Sequence, residues 1–170
     1  MLAEDPGVDK YVIVVAPHTS NWDFPLGLLA AWALGLDAHW MGKHTLFSRP
    51  FGWLFRGLGG IPVRRGEAGS LSGQMARRFA QPGRLVLGIA PEGTRSHTDH
   101  WKSGFWHIAR ASHVPIVLAY LDYGKKQVGM GGAFLPGDDI EADFERIRAW
   151  YRDRRGKVPG RESEIRVRAA

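Results

Sequence analysis

One histidine and one aspartate stand close together near the start of the chain. His18 and Asp23 follow the apolar run at residues 11–16, with four residues between them. A histidine can act as a general base near neutral pH because its unperturbed pKa is about 6.5. A carboxylate beside it fixes its tautomer and stabilises the imidazolium that forms. The spacing predicts such a pair, although residues 20–23 also resemble a helix capping box, in which Asp23 would be purely structural.

A second polar group, Pro-Glu-Gly-Thr-Arg-Ser, occupies residues 91–96 directly after the apolar run at residues 85–89. Gly93 permits a backbone turn that other residues avoid. Arg95 offers a planar fork of N–H donors that fits phosphate, and Thr94 can add an anion contact. The pattern that begins at Glu92 predicts an anion-binding turn. The alternative is a surface turn with a solvated arginine.

The chain is basic, with a net charge of +6 and a pI near 10.0, and this charge favours anionic partners. Arg64 and Arg65 follow two glycines and a short apolar segment, and would either clamp a phosphate or serve as charges on an edge strand. A denser arginine cluster lies within residues 146–155. It is interpreted as the solvated face of a helix, with docking to a membrane surface as the alternative.

Apolar runs of strand and helix type alternate along the chain. Strands are predicted at residues 11–16, 38–41, 61–65, 85–89 and 115–121, and helices at residues 22–34, 70–80, 104–112 and 141–155. A weaker strand pair is predicted at residues 127–130 and 133–135. The tail from residue 156 is predicted to be loose, with a further edge strand at residues 164–167 as an alternative.

This alternation predicts an α/β fold, with a mostly parallel sheet flanked by helices. We expect a single domain over residues 1–170, with the motifs in a core at residues 11–121 and a C-terminal helix and tail at residues 138–170. Ligands of open α/β sheets bind outside the carboxyl ends of the strands. Residues 18–23 and 91–96 are therefore predicted to share one cleft.

The composition argues against several other classes of site. The chain has no cysteine, which excludes disulfides, thiolate zinc sites and a cysteine nucleophile. His97 and His100 have no further ligands nearby in sequence, whereas closed zinc sites need four ligands, so neither a metal nor a cofactor is predicted. The N-terminus lacks the features of a secretory signal, and the longest apolar stretch, residues 26–36, is shorter than the roughly 20 residues that span a bilayer.

These features predict a cytoplasmic protein without a transmembrane segment. Contact with the inner face of the membrane would then depend on surface residues, and core packing is the alternative role for the same side chains. The candidates for that contact are Trp40, Phe51, Trp53, Leu54 and Phe55.

The order of the polar groups resembles that of the glycerol-3-phosphate and lysophosphatidic acid acyltransferase superfamily. The His-x4-Asp motif of this superfamily corresponds to His18 and Asp23, and its Pro-Glu-Gly-Thr-Arg-Ser motif corresponds in full to residues 91–96. The resemblance extends over about residues 12–119.

Other motifs of the superfamily match with departures. The Gly-x-x-Phe-Ile/Val-x-Arg motif corresponds to residues 59–65, with Pro62 in place of phenylalanine. The Val-Pro-Ile-Val strand corresponds to residues 114–117, and Leu118 follows where a second proline is common. A Lys-x-Gly element begins at Lys102.

The resemblance implies O-acyl transfer from acyl-CoA or acyl-carrier protein to a hydroxyl of lysophosphatidic acid or a related lysolipid, as in phospholipid biosynthesis. It implies that His18 takes the proton of the acceptor hydroxyl and that Asp23 orients His18. The residues that it implies for substrate binding are Arg64, Arg65, Glu92, Gly93, Thr94, Arg95 and Lys102.

Three other functions fit parts of the sequence. One is a basic module that binds lipid or nucleic acid without catalysis, and another is acyl transfer to an acceptor that is not a glycerolipid. The third is a hydrolase in which His18 activates water. The presence of His18, Asp23 and Glu92 favours catalysis, and nucleic acid is not a predicted partner.

Overall fold

The strand at the centre of the sheet leads directly to the histidine. Strand β2 (Lys10–Val15) forms from β-branched and aromatic side chains that alternate between the two faces of the sheet. The computed structural model describes residues 2–4, 6–63 and 71–168. In it, β2 pairs in parallel with β5 (Leu85–Ile89) on one side and with β6 (Ile116–Asp122) on the other. The loops after β2 and β5 therefore leave the sheet side by side at one edge.

The described part of the chain contains four further strands and five helices. The strands are β1 (Leu2–Ala3), β3 (Ala38–Lys43), β4 (Gly60–Val63) and β7 (Gln127–Phe134). The helices are α1 (Asp23–Ala33), α2 (Gly52–Gly57), α3 (Leu71–Phe79), α4 (Gly104–Ser112) and α5 (Ile140–Tyr151), and a short 3₁₀ helix spans His44–Phe47.

These strands form one seven-stranded sheet in the order β1-β7-β6-β2-β5-β3-β4. Strands β2 to β6 run parallel, whereas β7 is antiparallel to β6. The prediction of an α/β fold with a mostly parallel sheet flanked by helices is confirmed. The prediction of two short strands at residues 127–130 and 133–135 was wrong, because β7 continues through the glycines between them.

The sheet buries its two faces unequally. The larger core joins one face of the sheet to α3, α4 and α5, with Val14 and Leu118 against Phe105 and Phe144. The smaller core lies on the opposite face, where Ile13 and neighbouring side chains pack against the segment that ends α1. Helix α1 lies at this thinner side, and Asp23 is its one buried residue. No helix in the described ranges is long and apolar enough to cross a membrane.

The C-terminal tail is well packed, so the prediction of a loose tail was wrong. Its backbone bonds to the loop after β5, through Glu164 N to Thr98 O at 3.0 Å and Trp101 N to Arg166 O at 3.0 Å. Ile165 and Val167 also pack against the larger core. Residues 164–167 nevertheless do not form a regular strand. The tail therefore covers the loop that carries the second polar group.

Candidate active site

Asp23 is the residue around which the candidate site is built. Its Oδ2 accepts hydrogen bonds from the backbone N–H groups of Thr19 at 2.9 Å and Ser20 at 2.8 Å. The same oxygen lies 3.1 Å from Nδ1 of His18. Its other oxygen, Oδ1, accepts a hydrogen bond from the Tyr123 hydroxyl at 2.7 Å. The carboxylate therefore both closes the loop before α1, as a capping residue would, and contacts the imidazole.

The surroundings of Asp23 keep it ionised. Burial is the largest single influence and opposes ionisation, but the hydrogen bonds from His18, Tyr123 and the Ser20 backbone together outweigh it, so the pKa of Asp23 is lowered. An ionised carboxylate only accepts hydrogen bonds, so Nδ1 of His18 carries the proton. In the neutral imidazole, Nε2 then keeps its lone pair, as a general base requires. The His18 side chain is 23% exposed, which leaves it accessible to a substrate.

Glu92 joins the two polar loops. Its Oε1 accepts a hydrogen bond from the backbone N–H of His18 at 2.9 Å. Burial raises the pKa of Glu92, and the hydrogen bond from His18 N offsets only part of this effect. Because the bond holds the backbone of His18, the structure gives Glu92 a part in placing the imidazole. Its other oxygen, Oε2, is buried and has no hydrogen-bond partner among the described residues.

The loop after Glu92 presents its basic groups to the exterior. Gly93 adopts φ +64°, a conformation that favours glycine, and a Cβ there would lie 2.5 Å from Nζ of Lys102, so the lysine side chain would have to move. Thr94 Oγ1 accepts from the backbone N–H of Ser96 at 3.3 Å. The side chains of Lys102 and Arg95 are exposed. The loop therefore provides one ammonium and one guanidinium group.

Arg95 reaches across to the loop that carries the histidine. Its Nη1 donates a hydrogen bond to Oδ1 of Asn21. His18, Asp23, Glu92 and Arg95 thus lie at one edge of the sheet, which is the grouping that the two motifs predict. Arg64 and Arg65 lie outside the described residues.

Sequence reasoning missed two contributions to this site from the C-terminal part of the chain. The first is Tyr123, which follows the last residue of β6 and donates to Asp23. The second is the tail, because Val158 N bonds to Oγ1 of Thr19 at 3.2 Å and Thr19 is fully buried. A signal for Tyr123 was present, since a tyrosine directly after a parallel strand lies at the edge where ligands bind. The packing of the tail had no comparable signal.

The histidines of the loop at residues 97–100 have local partners. Nδ1 of His97 lies 2.7 Å from the carbonyl oxygen of Glu162, and Nδ1 of His100 lies 2.6 Å from Oδ1 of Asp99. Over the described ranges, no group of three or more histidine, aspartate or glutamate side chains is arranged to hold a metal ion.

The family of the chain can be stated once this geometry is known. The acyltransferase family model matches residues 4–121, so the chain belongs to the acyltransferase family of the glycerol-3-phosphate and lysophosphatidic acid type. This membership supports a general acyltransferase role. Neither the search of curated proteins nor the search of solved structures gives a match. Tyr123 and the tail lie beyond the matched residues.

Proposed function

We propose that the protein transfers a fatty acyl group from a thioester to a hydroxyl group, with His18 as general base. The observation that carries this proposal is the contact of His18 Nδ1 with the ionised Asp23, which leaves Nε2 as a base at the edge of the sheet. Family membership supports the reaction class. The missing cysteine is in keeping with direct transfer, without an acyl-enzyme on a thiol.

The proposed step is a single displacement at the thioester carbonyl. His18 Nε2 takes the proton of the acceptor hydroxyl while the hydroxyl oxygen forms a bond to the carbonyl carbon. The C–S bond then breaks, and the leaving thiolate takes the proton from the imidazolium, which returns His18 to its neutral form. Asp23 stabilises the charge that His18 carries between these events. A positioned base of this kind contributes about 10²–10⁴-fold to the rate.

We further propose a phosphorylated acceptor, with lysophosphatidic acid or a related lysolipid as the first candidate. The exposed guanidinium of Arg95 and ammonium of Lys102 lie on the loop next to His18 and are suited to a phosphate. Arg64 and Arg65 are included in this proposal on their motif alone. Acyl-CoA and acyl-carrier protein are the proposed donors, and no further cofactor takes part in the mechanism.

We also propose that the protein reaches its lipid acceptor at a membrane surface. Trp22 and Trp32, at the two ends of α1, are each 60% exposed, and Trp53 on α2 is 74% exposed. The ring of Trp40 links these helices, through Phe24 at 4.9 Å and Phe55 at 6.2 Å between ring centroids. Exposed aromatic side chains on adjacent elements favour the interface between water and lipid.

Co-sedimentation with vesicles that contain phosphatidic acid tests the membrane proposal. Trp53→Ser should reduce the bound fraction several-fold. Leu135→Ser, which changes a residue that is 65% exposed on a different part of the surface, should leave it unchanged. Equal binding of both variants and the wild type would contradict the proposal.

Thiol release from acyl-CoA, measured with a panel of lysolipid and non-glycerolipid hydroxyl acceptors, tests the reaction. His18→Ala should lower kcat/KM by about 10²–10⁴-fold. His107→Ala, on the exposed face of α4, is the matched control and should leave it unchanged. Release that needs no acceptor would indicate a hydrolase. Absence of release with every acceptor, together with salt-sensitive vesicle binding, would indicate a non-catalytic lipid-binding module.

A further inference from the structure

A cleft of about 590 Å³ lies beside the candidate active site. It opens between the loops after β2 and β5 on one side and the end of α5 with the tail on the other. Its lining includes Pro17, next to His18, together with the buried residues Glu92 and Trp101. The arginines that line it are Arg148, Arg152, Arg154 and Arg155. We refer to it as the arginine cleft.

Two of these arginines have no carboxylate partner. The side chains of Arg152 and Arg155 are exposed, and within the described chain no carboxylate oxygen lies within 4.0 Å of either guanidinium group. Glu162 also lines the cleft, but its two oxygens accept hydrogen bonds from the backbone N–H groups of Gly156 and Gly160. Unpaired guanidinium groups on a concave surface are suited to bind phosphate.

The two other arginines have structural contacts. Arg148 Nε donates to the carbonyl oxygen of Ile165 at 2.9 Å, which fastens the tail to α5. Arg154 lies over the ring of Tyr120, 3.8 Å from its centroid, and 3.9 Å from a carboxylate oxygen of Asp122. The positive charge available to a ligand therefore comes chiefly from Arg152 and Arg155, in a lining that also contains the carboxylates of Glu145 and Glu162.

Two buried residues in the wall of the cleft each have a polar side-chain atom without a hydrogen-bond partner among the described residues. Glu92 and Trp101 are each 2% exposed, and both line the cleft. Glu92 Oε2 and Trp101 Nε1 have no hydrogen-bond partner among the described residues. Buried polar atoms of this kind are rare, because leaving one unsatisfied costs about 1–3 kcal/mol. An indole N–H can donate to an amide carbonyl oxygen, and a carboxyl oxygen can accept from an amide N–H.

We propose that the arginine cleft binds the phosphopantetheine arm of the acyl donor. This inference rests on the proposed function, because that function requires a thioester donor, and both coenzyme A and acyl-carrier protein carry phosphopantetheine. Arg152 and Arg155 bind the phosphate, and Trp101 and Glu92 bind the amides of the arm. The thioester would then lie at the end of the cleft formed by Ala16 and Pro17, next to His18.

Binding of coenzyme A itself, measured by calorimetry, tests the cleft without requiring turnover. Arg152→Glu and Arg155→Glu should each weaken binding by about tenfold or more, through loss of a charge-assisted contact and added repulsion. Arg146→Glu is the matched control, because it makes the same charge change on α5 outside the cleft, where Arg146 lies over Phe134. Equal weakening by all three variants would show a general charge effect and overturn the proposal.

Steady-state kinetics separate this proposal from the proposed function. Arg152→Glu should raise KM about tenfold for acyl-CoA and leave KM unchanged for acyl-pantetheine, which lacks the phosphate. Acyl transfer with an unchanged KM for acyl-CoA would overturn the cleft assignment and leave the function standing. Coenzyme A binding that depends on Arg152, without acyl transfer to any acceptor, would support the cleft assignment and overturn the proposed function.

Two further arms identify the carrier and the amide contacts. If acyl-carrier protein is the donor, Arg152→Glu should raise KM for its acylated form, and coenzyme A should bind weakly. If neither carrier binds the wild-type protein, the proposal is overturned. Trp101→Phe keeps an aromatic ring but removes the N–H, and should raise KM for both acyl-CoA and acyl-pantetheine. No change in either KM for a folded Trp101→Phe variant would contradict the amide contact.

Discussion

Two segments of the chain meet at His18 and contribute to the site in different ways. Residues 4–121, which match the acyltransferase family, supply the imidazole, its carboxylate partner Asp23 and the buried Glu92. Residues 122–168 supply groups that hold these in place: Tyr123, which donates to Asp23, and the tail, which covers the loop at Thr19. The first segment thus carries the candidate reacting groups and the second carries much of their support.

The comparison shows that the motif alone does not fix the geometry of the pair. Oδ2 of Asp23 is held by its own loop, whereas Oδ1 is held by a residue one hundred positions away. Glu92 fixes the backbone of His18 from a different loop again. We therefore expect substitutions in the first segment to reduce the rate most, and substitutions in the second to act through position and stability.

The largest effect is expected from removing the charge of Asp23 while keeping its shape. Asp23→Asn has nearly the same volume, but its amide neither stabilises the imidazolium nor accepts from every donor around Asp23. We expect kcat/KM to fall by about 10²-fold or more, because the tautomer and charge of His18 are no longer fixed.

Steady-state acyl transfer measures this loss, and thermal unfolding verifies that the variant is folded. Asp37→Asn, which alters an exposed aspartate shortly after α1, is the matched control and should leave the rate unchanged. A folded Asp23→Asn protein with the wild-type rate would refute the role of Asp23 as the partner of the base.

The second-largest effect is expected at Gly156, where the tail contacts the loop that carries His18. A Cβ at Gly156 would lie 2.6 Å from both Cγ2 and Oγ1 of the buried Thr19, so Gly156→Ala forces the tail and the His18 loop apart. Overpacking of this kind costs about 1–3 kcal/mol in the free energy of unfolding. We expect lower stability in chemical denaturation and a kcat reduced several-fold.

Gly137→Ala serves as the control, because the nearest atom to a Cβ there lies 3.9 Å away, which is an ordinary contact. If both variants retain wild-type stability and kcat, the tail does not constrain the loop at Thr19.

The contrast between the segments also explains what the sequence could predict. The fold followed from the alternation of short apolar runs with amphipathic segments, because short, β-branched apolar runs such as residues 11–16 and 85–89 are typical of buried strands. The approach of His18 to Asp23 followed from their spacing in a turn between strand and helix. Arg95 lies on a neighbouring loop because parallel strands end at the same edge of the sheet.

The rest depended on long-range packing that leaves little local pattern. The tail has few apolar residues, and Ile165 and Val167 are partly buried where the backbone of the tail bonds to the loop after β5. Glu92 was predicted to bind substrate, yet one of its oxygens bonds to the backbone of His18, a contact between residues 74 positions apart. No periodicity or propensity reports such a bond.

A smaller effect is expected at Tyr123, where the two segments join. Tyr123→Phe removes the hydroxyl that donates to Asp23 Oδ1 at 2.7 Å and keeps the ring. A hydrogen bond to a charged group contributes about 1.5–3 kcal/mol, and the partial exposure of Tyr123 places the loss toward the lower end. We expect kcat to fall a few-fold without a change in KM, since a positioning residue that does not touch the substrate affects only the reacting pair.

The same substitution should alter the acid stability in a defined direction. The lowered pKa of Asp23 contributes stability that is present above the unfolded-state pKa and is lost as the pH falls through the folded-state pKa. Without the Tyr123 hydrogen bond the folded-state pKa rises, so acid unfolding should begin at a higher pH. An unchanged acid transition in Tyr123→Phe would show that the hydroxyl does not stabilise the Asp23 carboxylate.

The smallest effect is expected at Glu92, whose contribution to stability changes with pH in the opposite direction to that of Asp23. Burial raises its folded-state pKa above the ordinary value of 4.5, so its contribution to stability is complete below that value and is lost as the pH rises through the folded-state pKa. Glu92→Gln keeps an oxygen that can accept from His18 N but does not titrate. The difference in Tm between wild type and variant should therefore fall with rising pH, by roughly 2–4 °C for each 1 kcal/mol lost.

Glu141→Gln, at an exposed position in the first turn of α5, should show no such trend. A constant difference for Glu92→Gln between pH 4 and pH 8 would mean that burial does not penalise the charge, and Glu92 would then support His18 in the same way at every pH.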